Sequence, residues 1–115
     1  MSTLDEIQKS INAQLIRDYG GAQYEHLRDL VTLGLCEEVG EVAALRKREL
    51  RRNFRDVQTM MRIRNKYVEE LGDVLWYLAA CCVVNKIPLE EVWQANIQKL
   101  DERYGHVEGG AQHRE

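Results

Sequence analysis

Proline is nearly absent from this sequence: its 115 residues include a single one, Pro88. Because proline interrupts helices, its scarcity leaves room for long helices on both sides of that residue. The chain also has no segment in which apolar and polar residues alternate over the length of a strand between turn signals. These two absences leave a β-sheet without support and predict an all-α fold.

Long apolar runs are absent as well. The longest mostly apolar stretch, Val74 to Val84, is shorter than the roughly 20 residues that cross a bilayer. The first residues also show no signal-peptide pattern. We therefore expect a cytoplasmic protein with no membrane partner.

Cysteine is scarce and odd in number, with Cys36, Cys81 and Cys82 as its three copies. All three lie in apolar runs, which favours reduced thiols in the core over a disulfide framework. The sequence has no Cys-x-x-Cys pair and its three histidines are scattered, so no zinc site is predicted.

Charge is unevenly distributed, although the net value is only -3. Between Arg46 and Lys66, a stretch called here the basic segment, nine basic residues stand against Glu49 and Asp56. Such a segment suits phosphates, nucleic acid or the acidic face of a partner. A solvated connection between helices is an equally good interpretation.

Apolar residues recur at helical intervals in four stretches, which predicts four amphipathic helices. The first begins at a capping box formed by Thr3 and Glu6 and ends at Tyr19-Gly20-Gly21. The others are predicted from about Tyr24 into the basic segment with a break near Asn53, from Asp56 or Val57 to Val84, and from Pro88 to about Tyr104.

These helices fit one domain, residues 1–105, and leave residues 106–115 as a tail. The tail contains Gly109-Gly110 and almost nothing apolar, so it is predicted to be disordered. A domain this small buries only a modest share of its surface. We therefore expect a homo-oligomer in which copies share a core.

A repeated acidic hexapeptide is the main chemical signal. Residues 37–42 read Glu-Glu-Val-Gly-Glu-Val, and residues 69–74 read Glu-Glu-Leu-Gly-Asp-Val. In each copy two carboxylates stand three positions apart, which makes them neighbours on one helical face. The pairs are Glu38 with Glu41 and Glu70 with Asp73.

The apolar stripe of each helix includes part of this acidic repeat. Glu38 falls in the inward stripe of Val31, Leu35, Val42 and Leu45, and Glu70 fills a gap in the stripe of Tyr67, Val74, Leu78 and Cys81. Converging, partly buried carboxylates raise one another's pKa or require cations. Because the hexapeptides contain no Lys or Arg, and hard divalent ions prefer oxygen ligands, we predict a magnesium site.

Each hexapeptide also has a glycine inside its predicted helix, Gly40 and Gly72. A mid-helix glycine costs about 1 kcal/mol relative to alanine. We expect a close approach by a neighbouring helix or a ligand at these positions, with an exposed turn under no constraint as the alternative.

The two motifs together resemble the signature of the MazG-like nucleotide pyrophosphohydrolases, in which Glu-Glu-x-x-Glu is followed on another helix by Glu-x-x-Asp. The matching residues here are Glu37-Glu38-Val39-Gly40-Glu41 and Glu70-Leu71-Gly72-Asp73. The similarity covers roughly Val31 to Tyr104, including Asp73-Val74-Leu75-Trp76-Tyr77-Leu78, Ile87-Pro88-Leu89, Asn96, Lys99-Leu100 and Arg103-Tyr104.

This resemblance implies a four-helix-bundle-like domain of the MazG type, completed by assembly into a homodimer or homotetramer. It further implies hydrolysis of a nucleoside or deoxynucleoside triphosphate, with Mg²⁺ or Mn²⁺, to the monophosphate and pyrophosphate. The metal ligands would be Glu38, Glu41, Glu70 and Asp73. Glu37, Glu38 and Glu41 would form the catalytic set, with Glu37 orienting or deprotonating the water.

Four further residues are candidates for substrate binding. Lys99 and Arg103 lie four positions apart on the last helix, with Asn96 one turn earlier, and are interpreted as contacts for the phosphate tail. Tyr77 follows Asp73 by four positions, so its ring could stack on a base. Surface charge and core packing are the alternatives for these positions.

Three other functions are compatible with parts of the pattern. A di-iron protein also uses helical Glu pairs, but its usual Glu-x-x-His does not occur here. A phosphoribosyl-ATP pyrophosphatase has similar carboxylates and stays an alternative within the same superfamily. A non-enzymatic helical protein that binds nucleic acid through the basic segment would leave the acidic repeat unexplained, so nucleic acid is not the expected partner.

Overall fold

The computed structural model describes residues 2–20, 24–52 and 56–105. Within those ranges the chain forms four helices and no strand, which confirms the all-α prediction. The helices are α1 (Thr3–Tyr19), α2 (Tyr24–Arg51), α3 (Val57–Val84) and α4 (Leu89–Tyr104). The predicted break at Asn53 and the predicted disordered tail lie outside the described residues. No described helix combines the length and the apolar character needed to cross a membrane.

The capping box of α1 lies one residue earlier than predicted. Ser2 has an extended backbone, its hydroxyl accepts a 3.0 Å hydrogen bond from the Asp5 amide, and its own amide donates to the Asp5 carboxylate at 3.2 Å. Thr3 already belongs to the helix. The prediction of Thr3 and Glu6 was wrong because Ser2 and Asp5 have the same spacing and residue types that cap equally well.

The turn between α3 and α4 is fixed by a residue of α1. The Gln8 side-chain amide donates to the Ile87 carbonyl at 2.9 Å, and its oxygen accepts from the Leu89 amide at 2.7 Å. Pro88, at the N-cap of α4, makes no side-chain capping bond. Gln8 therefore satisfies an amide of the first turn of α4 that the helix itself leaves unpaired.

Helices α2 and α3 form an antiparallel hairpin, because partners on α3 move toward its N-terminus as one advances along α2. Gly34 faces Tyr77, Glu38 faces Asp73 and Glu70, and Glu49 faces Tyr67. Helix α1 packs on α3, where the Trp76 indole donates to Gln14 at 2.7 Å, and α4 packs on α1.

The apolar core lies at one end of this hairpin. Its buried members are Ile11, Leu15, Val31, Ala79, Ala80, Cys82, Val84 and Leu89. The hairpin end that carries the basic segment lies outside this core. Leu45 is buried there but does not belong to the core cluster. The line of contact between α2 and α3, called here the groove, therefore extends from the core to the end that carries the basic segment.

The three cysteines do not share one environment. Cys82 is buried and Cys81 is half-buried, but Cys36 is exposed, so the prediction of three core thiols was wrong for Cys36. None of the three forms a disulfide, as expected. Cys36 lies in an apolar stretch of sequence, but its side chain is exposed in the structure.

Candidate functional site

Three carboxylates from two helices converge in the groove between α2 and α3. Glu38 comes from α2, and Glu70 and Asp73 come from α3. One carboxylate oxygen from each residue lies within 4.8 Å of the other two. We call this trio the acidic cluster. Glu38 and Glu70 are half-buried and Asp73 is exposed, so the cluster opens to solvent on one side.

Helix periodicity explains why these side chains meet. Val31 and Leu45 are buried seven residues before and after Glu38, about two helical turns in each direction. Glu38 therefore lies on the same face of α2 and points toward α3. Glu70 and Asp73 are one turn apart on α3 and so occupy neighbouring positions on the face that meets α2. The inward direction predicted for Glu38 and Glu70 agrees with their burial.

The electrostatic environment of Glu38 is unfavourable for its charge. Partial burial raises the pKa of Glu38 above its usual value, and the carboxylates of Asp73 and Glu70 raise it further. Glu37 and Glu41 act in the same direction. A divalent cation among these oxygens would relieve this repulsion.

The donor set fits magnesium by its chemistry. All three groups are carboxylates, the hard oxygen donors that Mg²⁺ prefers. Because Mg²⁺ binds oxygens at about 2.1 Å in octahedral geometry, its ligands lie about 3.0 Å apart when adjacent and about 4.2 Å apart when opposite, so these oxygens would have to move closer together to share one ion.

Sequence reasoning missed one cation beside the cluster. The Lys66 ammonium lies 3.3 Å from a Glu70 carboxylate oxygen and 3.6 Å from Glu69. The two hexapeptides contain no basic residue, but Lys66 lies three positions before the second hexapeptide, residues 69–74. The four-residue spacing of Lys66 and Glu70 was the available signal.

The other two acidic candidates lie outside the cluster. Glu41 is exposed, one turn beyond Glu38, and its part in metal binding stays a prediction. Glu37 instead lines a cavity at the core end of the groove. Of the four predicted metal ligands, the structure brings together Glu38, Glu70 and Asp73.

The cavity beside Glu37 is rich in aromatic side chains, and we call it the aromatic cavity. It has a volume of about 420 Å³, and its lining residues are Tyr19, Leu27, Leu30, Val31, Leu33, Gly34, Glu37, Trp76 and Tyr77. The Trp76 and Tyr77 rings meet edge to face, with centroids 5.1 Å apart. Burial raises the pKa of Tyr77, and nearby Tyr19 and Glu38 add to this effect.

Gly34 shapes this cavity. A Cβ at this position would overlap the Tyr77 ring, so only glycine lets α2 and the ring approach this closely. Sequence reasoning instead expected close approaches at Gly40 and Gly72. No helix of the described chain approaches either glycine, because a Cβ at either position meets no atom within 4 Å, and approach by a ligand stays a prediction.

A second cavity opens at the other side of the acidic cluster, and we call it the basic cleft. Its volume is about 460 Å³, and its lining residues are Leu45, Arg48, Glu49, Arg52, Arg62, Ile63, Asn65, Lys66 and Glu69. Glu49 accepts hydrogen bonds from Arg46 at 2.9 Å and from the Tyr67 hydroxyl at 3.0 Å. Glu69 is paired with Lys66, so the two carboxylates of the cleft already have cationic or hydroxyl partners.

The predicted phosphate contacts on α4 are not part of this arrangement within one chain. Asn96 is half-buried, whereas Lys99 and Arg103 are exposed. None of the three lines the aromatic cavity or the basic cleft. Their role in substrate binding stays a prediction.

Comparison with known proteins finds one matching family and two similar proteins. A family model described as the MazG nucleotide pyrophosphohydrolase domain matches residues 28–108. The Gene 37 protein of Mycobacterium phage L5 is 36% identical over 86 residues, which cover 73% of this chain and 74% of that protein. The uncharacterized protein YvdC of Bacillus subtilis (strain 168) is 36% identical over 76 residues, 64% of this chain and 72% of that protein. No solved structure matches significantly.

Proposed function

Because the chain belongs to the MazG nucleotide pyrophosphohydrolase family, we propose that it hydrolyses nucleoside or deoxynucleoside triphosphates to the monophosphate and pyrophosphate at the acidic cluster. The observation that carries the proposal is the convergence of Glu38, Glu70 and Asp73 from two helices. Three carboxylates so close together repel one another, and a metal-bound polyphosphate is a ligand that this arrangement can hold.

Magnesium is the proposed cofactor, with manganese as a substitute, and Glu38, Glu70 and Asp73 are the proposed ligands. When bound, the ion would neutralise phosphate charge and lower the pKa of a water molecule. Glu41 lies one turn from Glu38 and is exposed, so its side chain is free to join the ligand set or hold the attacking water.

Carboxylates around the cluster are the proposed acceptors for the proton of that water. Glu37 and Glu41 flank Glu38 on α2, outside the trio of converging oxygens. A carboxylate in that position can orient the water and take its proton without giving up a metal bond.

The nucleoside is proposed to occupy the aromatic cavity. Trp76, Tyr77 and Tyr19 offer ring faces and edges on which a base can pack, and Glu37 provides a polar group at the rim. Gly34 and Tyr77 lie one helical turn from the Glu38–Asp73 pair, so a nucleoside there places its first phosphate at the cluster.

The active form is proposed to be a homodimer or homotetramer. Four apolar side chains, Val68, Leu71, Leu75 and Leu78, follow one another on α3 at helical spacing and are all exposed. A second copy of this chain would cover them. Light scattering should give twice or four times the mass of one chain, and a Leu71→Glu, Leu75→Glu variant should shift toward the monomer.

Pyrophosphate release from a panel of nucleoside triphosphates with Mg²⁺ tests the activity. Glu38→Gln and Asp73→Asn should lose turnover by about a hundredfold or more while keeping their helical circular dichroism. Glu91→Gln on exposed α4 is the matched control and should stay active. Phosphoribosyl-ATP belongs in the panel, and its selective hydrolysis would favour that narrower activity. Unchanged turnover in Glu38→Gln or Asp73→Asn would contradict the proposal.

A further inference from the structure

Three differently charged regions follow one another along the groove between α2 and α3. The aromatic cavity lies near Gly34 and Tyr77, the acidic cluster lies next, and the basic cleft begins at Lys66 and Glu69. A site lined by aromatic rings, an anionic site suited to a cation, and a site lined by basic residues thus follow one another along the two helices. This order matches the order of parts in a nucleotide: base, metal-bound phosphate, and terminal phosphates.

The basic cleft carries more positive charge than its own carboxylates can neutralise. Three cations from the two helices line it, Arg48 from α2 and Arg62 and Lys66 from α3, and Arg52, directly after α2, lines it as well. Glu49 already receives hydrogen bonds from Arg46 and Tyr67, and Glu69 is 3.6 Å from Lys66. The cleft is therefore suited to an anion with several oxygens.

The cleft also lies within reach of the acidic cluster. Lys66 lines it and is 3.3 Å from Glu70, a member of the cluster. Arg62 stands one turn further along α3, eight residues before Glu70, or about 12 Å along the helix axis. The cations are thus placed progressively beyond the cluster rather than around it.

We propose that the basic cleft binds the terminal phosphates of the substrate, and the pyrophosphate they become after hydrolysis, through Arg48, Arg62 and Lys66. This inference rests on the proposed function for the identity of the substrate, because it assigns the direction in which the triphosphate lies in the groove. It assigns a role to the basic segment, which the acidic motifs leave unexplained.

A short oligophosphate fits the cleft better than a nucleic-acid strand does. Arg48, Arg62 and Lys66 come from two facing helices and line a cavity of about 460 Å³, whereas a strand requires a groove that continues along the surface.

Binding of inorganic pyrophosphate, measured by isothermal titration calorimetry in metal-free buffer, tests this assignment independently of catalysis. Wild-type protein should bind it saturably. The variant Arg48→Gln, Arg62→Gln should bind at least about tenfold more weakly, because two charge-assisted contacts are lost. The variant Lys47→Gln, Arg64→Gln makes the same change of charge on the same two helices, and should stay within about twofold because neither side chain lines the cleft and neither can make a direct contact there.

Two controls separate this inference from the proposed function and from binding of nucleic acid. Glu38→Gln, expected to be inactive, should still bind pyrophosphate, so loss of activity alone leaves the cleft assignment intact. A single-stranded oligonucleotide should not compete for the cleft at equal phosphate concentration. Equal weakening in both double variants, absence of saturable binding in the wild type, or displacement by the oligonucleotide would overturn the inference.

Discussion

The Lys66 ammonium lies 3.3 Å from a Glu70 carboxylate oxygen at the boundary between the acidic cluster and the basic cleft. The side chain of Glu70 is 12% exposed, whereas that of Lys66 is 49% exposed. Lys66 therefore competes with a divalent ion for Glu70 and is also placed to contact a phosphate.

Removing Lys66 should strengthen metal binding in the absence of nucleotide. In Lys66→Gln the ion no longer displaces or faces an ammonium group at Glu70, so the apparent Kd for Mg²⁺ should fall. Lys47→Gln, which removes the same charge from an exposed position outside the cleft, is the control. Weaker Mg²⁺ binding in Lys66→Gln than in Lys47→Gln would show that Lys66 supports the site rather than competing with the ion.

Glu38→Gln should melt at a higher temperature than the wild type in metal-free buffer at neutral pH. The Glu38 charge is partly buried and faces Asp73 and Glu70, and the neutral amide removes that repulsion. The same variant should lose most of the Mg²⁺-dependent rise in melting temperature that the wild type shows. A metal-free melting temperature below that of the wild type would contradict the repulsion inferred for this cluster.

Two glycines of α2 should respond to alanine in opposite directions. Gly34→Ala should destabilise the protein by about 1–3 kcal/mol, because the new Cβ overlaps the Tyr77 ring. Gly40→Ala has open space and should stabilise the isolated chain by up to about 1 kcal/mol through helix propensity. Urea denaturation measures both. Destabilisation by Gly40→Ala would reveal a second copy or another group packed against that glycine.

The hydrogen bonds that Glu49 accepts from Arg46 and Tyr67 should stabilise the fold at neutral pH and lose this effect in acid. Hydrogen bonds from Arg46 and Tyr67 hold the pKa of Glu49 below its ordinary 4.5. Its folded pKa is therefore below its unfolded pKa, and its contribution is present above 4.5 and lost as the pH falls through the folded value. At pH 7 the melting temperature of the wild type should be higher than that of Glu49→Gln, and this difference should shrink as the pH falls. A difference that widens on acidification would contradict this sign.

The sequence was sufficient to predict what depends on helical periodicity. The four helices and the inward direction of Glu38 and Glu70 follow from spacings of three and four residues, and the structure agrees with them. The family resemblance came from the two acidic motifs, and the family match over residues 28–108 confirms it. The choice between Ser2 and Thr3 as the cap of α1 was not decided by spacing, because both positions have an acidic residue three places later.

Contacts between helices were harder to predict. The packing of Gly34 against Tyr77 depends on how α2 and α3 align, and no local pattern marks Gly34 as different from Gly40 or Gly72. The basic cleft likewise forms only when Arg48 on α2 meets Arg62 and Lys66 on α3. Sequence alone showed these residues as one charged segment and did not show that they enclose a cavity.

Binding of Mn²⁺, followed by the loss of the free-ion signal in electron paramagnetic resonance, tests the central claim most directly. The wild type should bind Mn²⁺ saturably, Glu38→Gln and Asp73→Asn should each bind it at least about tenfold more weakly, and Glu91→Gln should bind it as the wild type does. Wild-type affinity retained in both cluster variants would contradict the assignment of the acidic cluster as the metal site.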